Sequence, residues 1–162
     1  MPIIALTTTI HAPVQRVFDL SRSIDLHLIS TKHTNETAIA GITEGLIGLG
    51  QRVTWRAKHL GIYQTLTSEI TEFNAPTSFT DEMVAGAFNS FKHVHTFEEK
   101  NGSTEMRDIF EYVSPLGLLG KFADFLFLKR YITRLLEKRN ETIKTFAESD
   151  QWKKILPITV VD

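Results

Sequence analysis

His93 and His95 stand two residues apart in "SFKHVHTFEEK" (90–100), between Phe91 and Phe97. In a strand, successive side chains point to opposite faces, so Phe91, His93, His95 and Phe97 share one side. Lys92, Val94, Thr96 and Glu98 share the other, which suits solvent, so the histidines look inward. In "STEMRDIFEYV" (103–113) the apolar side is Met106, Phe110 and Tyr112, and it carries Asp108 with it. In "FTDEMVAG" (79–86) Phe79, Met83 and Ala85 carry Asp81 in the same way. Two imidazoles and two carboxylates on a greasy inner face can do four kinds of work. They can form a satisfied polar network that fixes register, because buried polar groups need partners. They can orient the polar group of a bound molecule, as the few polar groups of apolar pockets do. They can ligate a metal ion through nitrogen and oxygen. They can move protons, with His95 as base and Asp108 orienting it.

The spacing narrows these roles. Asn101-Gly102 is a two-residue hairpin signal, which sets Lys100 opposite Ser103, His95 opposite Asp108 and His93 opposite Phe110. The turn around "AFN" (87–89) leaves Asp81 beside either His95 or His93. The expectation is an Asp81–His–Asp108 row across three strands, with facing Cβ atoms ~5 Å apart. Glu99 follows His95 by four and brushes the cupin metal pattern, but that pattern needs a later histidine and none follows His95. No metal and no cofactor are therefore expected. No Ser or Cys nucleophile obviously joins the row, so the catalytic role stays unassigned.

Other inward candidates are Val53, Trp55 and Ala57, facing Leu66 and Gln64 across a turn at Gly61. Trp55 suits either the core or a wall on which a ring-bearing guest stacks. His59 reads as an exposed edge residue, and His11, His27 and His33 as surface. "GLIGLG" (45–50) lacks the lysine and following helix of a phosphate loop.

These side chains must be positioned by a larger frame. "IIALTTTI" (3–10) reads as a strand. "HAPVQRVFDLSRS" and "IDLHLIST" read as short helices, with Pro13 in the first turn of the former. Six further segments read as strands: "NETAIAG", "QRVTWRAKHL", "IYQTLTSEITEF", "FTDEMVAG", "SFKHVHTFEEK" and "STEMRDIFEYV". Beyond Pro115 the period changes to three and four, through Leu118, Phe122, Phe125, Leu126, Ile132, Leu136, Ile143 and Phe146. That predicts one long amphipathic helix. Seven antiparallel strands are too many for two short helices to cover, so the long helix must lie across a strongly bent sheet. The expected class is α+β, a helix-grip fold over residues 1–149 with a tail at 150–162.

The order β-α-α-β6-α, the "HAPVQRVFDL" opening and the run "FKHVHTFEEKNGSTEMRDIFEYVSPLGLLG" resemble the START-like, or SRPBCC, ligand-binding superfamily across roughly residues 3–147. The likeness is to a bacterial branch with an aromatic-His-x-His-aromatic strand and a "SPLG" helix entry. The resemblance implies a hydrophobic cavity between sheet and helix for a lipid-like or aromatic guest. It does not imply a reaction, since the superfamily holds carriers, receptors, cyclases and hydroxylase subunits. On this reading Trp55, Leu66, Phe79, Asp81, Met83, Phe91 and His93 line the cavity. So do His95, Phe97, Asp108, Phe110 and Tyr112, with Phe122 and Phe125 from the helix. An acid–base enzyme on the same scaffold is the alternative.

Composition agrees with a soluble protein. The 162 residues are 42% apolar and 23% charged, long enough for one substantial core. Lys and Arg number 18 against 19 Asp and Glu, a balance unsuited to neutralising many phosphates, so nucleic acid is not an expected partner. Eleven Phe suggest a greasy interior, and the absence of Cys excludes disulfides and thiolate chemistry. "MPIIALTTTI" does not read as a secretory signal. "PLGLLGKFADFLFL" is broken by Lys121 and Asp124 and falls short of the ~20 apolar residues of a membrane span. A cytoplasmic location and no integral membrane association are expected. The apolar face of the last helix is needed to cover the sheet, and its surplus suits a lid or self-association as a homodimer.

Overall fold

A computed structural model describes residues 1–115 and 127–157. Seven strands, β1 (Ile3–Ile10), β2 (Thr37–Gly41), β3 (Arg52–His59), β4 (Ile62–Asn74), β5 (Ser78–Ala85), β6 (Ser90–Lys100) and β7 (Ser103–Val113), form one antiparallel sheet. Their order is β1-β7-β6-β5-β4-β3-β2, so each strand from β2 onward lies beside its successor and β1 closes the far edge on β7. Between β1 and β2 run the helices α1 (Val14–Ser21) and α2 (Ile24–Ser30). After β7 comes α3 (Lys129–Ala147), which packs on α1, α2 and β1. The curved sheet and its long C-terminal helix make a helix-grip fold.

Local chemistry accounts for the connections. Asn101 and Gly102 both take positive φ, as a two-residue hairpin requires, and Lys100 pairs with Ser103. Pro13 stands at the N-cap of α1, one residue before the expected first turn, and Ser23 caps α2 by accepting from the Leu26 N–H. Between the β2 bulge and β3, Gly41 has a positive φ and lies against the Arg52 carbonyl, where a Cβ would collide. The glycine-punctuated loop is tied down, with the Gly45 N–H donating to Asp25 Oδ2 at 2.9 Å.

The core has a filled end. Phe18 of α1 meets the rings of Phe73, Phe79 and Phe97 edge-on, at centroid distances of 5.4, 5.7 and 5.4 Å. Around this hub lie Ile10, Leu20, Val53, Ile70, Met106 and Ile143. A smaller cluster holds Ile4, Phe91, Phe110, Tyr112 and Ile132. Residues 150–157 of the tail pack on the domain. Residues Asp150–Lys154 form a 3-10 turn, Trp152, Ile155 and Leu156 pack on the main core, and the Arg16 guanidinium sits 4.4 Å above the Trp152 ring.

Along α3 the buried positions are Ile132, Arg139, Asn140, Ile143 and Ala147, at helical spacing. Two polar residues therefore interrupt the stripe that the periodicity presents as purely apolar. The helix start expected from Leu118, and with it Phe122 and Phe125, lies outside the described residues.

Candidate functional site

The register fixes who meets whom. β6 and β7 place His95 opposite Asp108 and His93 opposite Phe110, as the hairpin turn predicts. On the other side, Asp81 pairs with His93 and Phe79 with His95, which settles the choice the sequence left open. The side chains nevertheless lean diagonally. His95 Nε2 lies 3.0 Å from Asp81 Oδ1, whereas His93 Nδ1 is 3.9 Å from the same oxygen. Asp108 Oδ1 receives both rings from behind, 3.1 Å from His93 Nε2 and 2.8 Å from His95 Nδ1. The second contact is close but poorly aligned, so His95 Nδ1 is buried without a hydrogen bond.

The helix completes the cluster. Asn140 Nδ2 donates to Asp108 Oδ2 at 2.6 Å. Arg139 Nη1 lies 3.5 Å from Asp108 Oδ1, and its Nη2 donates to the Ser21 carbonyl at 2.9 Å. Strand alternation finds the histidines and aspartates, but it is blind to Arg139 and Asn140. Their only sequence signal is a polar pair at core positions of an amphipathic helix.

Burial alone would resist ionisation of Asp108. The His93 hydrogen bond and the close approach of the His95 ring outweigh it and hold its carboxyl well below the ordinary carboxylate range. Asp81 follows the same logic, with burial overcome by the His95 hydrogen bond and by nearby positive charge, Arg139 included. His93 goes the other way. Burial and the adjacent His95 lower its proton affinity more than the two carboxylates raise it.

Asp81, His93, His95 and Arg139 form part of the wall of a cavity of about 360 Å³ between the sheet, α2 and α3. That volume is at the lower end of small-molecule pockets, about 300–1,000 Å³. Trp55, Leu66, Phe79, Asp81, Phe91, His93, His95 and Phe110 line it, with Phe88, Ile132, Leu136 and Arg139 from neighbouring elements. Four residues expected at the wall do not reach it. Phe97 is covered by Phe18 of α1, and Met83 and Tyr112 pack into the smaller apolar cluster. Asp108 is screened from the cavity by the two histidine rings it holds, and is 1% exposed. Inward is thus not the same as exposed to the cavity, because helices and neighbouring rings cover part of the inner face.

A second polar group faces the same cavity from the β2–β3 side. His27 Nε2 lies 2.5 Å from Glu36 Oε1, and its ring packs 4.3 Å from that of Trp55. His59 Nδ1 is 2.9 Å from the Tyr131 hydroxyl, and His27, Glu36, His59 and Tyr131 all line the cavity. His27 and His59, expected at the surface and at an exposed edge, are corrected here: α2 turns His27 inward, and α3 lays Tyr131 over the end of β3. His11, also expected without a partner, has its Nδ1 2.8 Å from Ser103 Oγ. Burial resists ionisation of Glu36, but His27 more than compensates and lowers its pKa. Burial lowers that of His59 and raises that of Tyr131. Tyr131 and Arg139 are eight positions apart on α3, so the two polar groups are separated by ~12 Å along the helix.

Among the described residues, Asp81, His93 and His95 are the set able to hold a metal ion, their ligand atoms lying within 4.8 Å of one another. No helix among these residues is long and apolar enough to cross a membrane.

Solved structures share this architecture at low identity. A protein of Thermus thermophilus, TTHA0849, is 18% identical with a TM-score of 0.69, over 88% of this chain and 97% of its own. Ginseng major latex-like protein 151 from Panax ginseng is 16% identical with a TM-score of 0.68, over 91% and 98%. Protein Ms6760 from Mycobacterium smegmatis is 21% identical with a TM-score of 0.65, over 89% of each chain. At these identities the likeness establishes the fold. Among curated proteins none matches the sequence. Residues 1–148 match the family described as "Polyketide cyclase / dehydrase and lipid transport", a START-like family, and the chain belongs to it.

Proposed function

We propose that this protein binds an amphiphilic small molecule with an aromatic or lipid-like body, and that the Asp81–His93–His95 wall orients its polar group. The observation that carries the reading is the combination of an apolar chamber with ionic groups set into its wall. A packed core would fill this volume, since protein interiors leave few voids larger than a water molecule. The rings of Trp55, Phe79, Phe91 and Phe110 offer faces and edges to a ring-bearing guest. Asp81, partly exposed to the cavity, accepts from His95 through one oxygen, and no described residue donates to the other. A hydroxyl or amine on the guest suits that oxygen. The Tyr131–His59 end can receive a second polar group.

Organic extraction of the purified protein followed by mass spectrometry tests this directly. The expected result is a co-purifying amphiphile or, failing that, a fluorescent apolar probe held at micromolar affinity and displaced by one class of compound. Phe91→Ala and Leu66→Ala should alter which compounds displace the probe. A folded protein that holds no probe and yields no extractable molecule would remove the reading.

Proton-transfer chemistry is a second reading, favoured by the 3.0 Å contact between His95 and Asp81 at the cavity wall. The variant Asp81→Asn separates the two. If the site is catalytic, Asp81→Asn keeps affinity for the guest and loses turnover. If it is a recognition site, Asp81→Asn changes affinity and ligand choice.

A further inference from the structure

We propose that Asp81 Oδ1, His93 Nδ1 and His95 Nε2 form a divalent transition-metal site facing the cavity, with Asp108 as the carboxylate that orients both histidines from behind. The proposal rests first on proton counting. His95 lies between two carboxylates, with Nε2 3.0 Å from Asp81 Oδ1 and Nδ1 2.8 Å from Asp108 Oδ1. A neutral imidazole carries one N–H, so one of these contacts sets a lone pair against an anionic oxygen. The misaligned, unbonded Nδ1 is the visible sign of that conflict. His93 has one such contact, with Nε2 3.1 Å from Asp108, while its Nδ1 stands 3.9 Å from Asp81, beyond hydrogen-bond distance.

A metal ion resolves the His95 conflict and gives His93 Nδ1 a partner. With the protons on His93 Nε2 and His95 Nδ1, His93 donates to Asp108, the His95 N–H faces the same oxygen at 2.8 Å and needs only a turn of the ring to align, and both remaining lone pairs face Asp81. This is the usual outer shell of a metal site, in which each ligating histidine donates its other N–H to a carboxylate. Asp108 is itself pinned by Asn140 at 2.6 Å and by Arg139. The three ligand atoms lie within 4.8 Å of one another, and ligand distances of ~2.0–2.2 Å in tetrahedral geometry require separations of roughly 3.3 Å. Small side-chain rotations reach that. Charge points the same way: with neutral histidines, Asp81 and Asp108 outnumber Arg139 by one negative charge in a buried setting. Imidazole and carboxylate together select zinc, iron(II) or a neighbouring first-row ion in preference to calcium or magnesium.

The sequence sets a metal aside because the cupin pattern requires a later histidine. Here the third ligand comes from the preceding strand, which a forward motif cannot register. The fourth position opens on the cavity, within reach of water or of an oxygen on a guest.

Titration of the chelator-treated full-length protein with Co²⁺, followed by visible absorption, tests the site. The expected result is one equivalent of Co²⁺ with an intense four-coordinate spectrum, displaced by Zn²⁺. His95→Ala and Asp81→Asn should each abolish the spectrum. Asp108→Asn should weaken uptake about 10–100-fold, as loss of an outer-shell partner does. His27→Ala, which alters the other histidine–carboxylate pair, should leave uptake unchanged. Circular dichroism checks that each variant is folded, and Asp81→Asn, at the cavity surface, leaves Asp108 and its partners intact. Zn²⁺ should also shift the ¹⁵N resonances of His93 Nδ1 and His95 Nε2, a signature that a purely structural network lacks. No saturable uptake, uptake lost with His27→Ala and kept with Asp81→Asn, or a His95 ring doubly protonated at neutral pH and indifferent to Zn²⁺ would each overturn the proposal. Binding of an apolar probe to the metal-free protein is measured separately, so failure here leaves the ligand-binding reading to stand or fall alone.

Discussion

The two ends of the inner sheet face use the same kinds of residue to opposite effect. Around Phe18, aromatic rings from α1, β4, β5 and β6 interlock, and the space is full. Toward α2 and the start of α3, Trp55, Leu66, Phe91 and Phe110 are just as apolar, yet they surround about 360 Å³ of open volume. Phe79 and His95 mark the seam, with rings stacked at 4.2 Å, one belonging to the packed hub and the other to the ionic cluster. The contrast shows that the side chain arriving from the opposite layer decides between core and wall. α1 delivers Phe18 to one end. At the other, α3 delivers Ile132, Leu136 and Arg139, which cover the sheet without filling the gap.

That contrast can be broken most forcefully at the hub. Phe18→Ala should cost about 3–5 kcal/mol in urea denaturation, because it removes transfer energy and leaves a void. Phe91→Ala at the cavity wall should cost clearly less, about half as much, since enlarging an existing cavity adds little to the lost transfer term. Equal losses would mean that the hollow end is as tightly packed as the full one.

Next in size is the ionic seam. Asp108→Asn removes the charge that holds both histidines, Asn140 and Arg139, and should cost about 1.5–3 kcal/mol by the same measurement, the range for hydrogen bonds to charged groups.

Acid should then loosen the seam before the hub. In the metal-free protein, burial and the neighbouring His95 hold the His93 pKa below its ordinary 6.5. As pH falls through 6.5 the unfolded chain takes up a proton that the folded chain refuses, so this contribution is complete above 6.5 and declines below it. Asp81 and Asp108 are lowered from 3.8 against the opposing effect of burial. Their contribution is present above 3.8 and is lost as pH falls further. Denaturation midpoints measured from about pH 8 to about pH 3 should fall in those two stages, and His93→Gln should remove the first.

The smallest effect is expected at the β3 end of the cavity. Tyr131→Phe removes the partner of His59 and should cost no more than about 0.5–1.5 kcal/mol, the ordinary value of one hydrogen bond. Displacement assays should register it as a changed preference among guests bearing two polar groups.

Most of the frame was legible in the sequence because it rests on local rules. Alternation placed Phe91, His93, His95 and Phe97 on one face, and Asn101-Gly102 set the register that brings His95 to Asp108. The register of β5 was not legible, because the turn at 86–89 has no comparable two-residue signature. The cavity wall was legible only in part. Phe97, Met83, Tyr112 and Asp108 obey the alternation and still miss the cavity, each covered by a neighbour whose position depends on packing between layers. Arg139, Asn140, Glu36, His27, His59 and Tyr131 were missed for the complementary reason. Each reaches the site from another element, and apart from the polar pair Arg139-Asn140 at core positions of α3, local sequence gives no sign of that destination.

The sequence by itself determined the element order, the inward face of each strand and one of the two registers beside the histidines, since these follow from side-chain period and turn geometry within a few residues. Only the tertiary structure decided which inward residues border empty space, which carboxylate oxygen each imidazole nitrogen meets, and that α3 supplies Arg139 and Asn140 behind them. Those outcomes depend on the approach of a helix to a curved sheet, a long-range geometry in which differences of an ångström separate a filled core from a chamber.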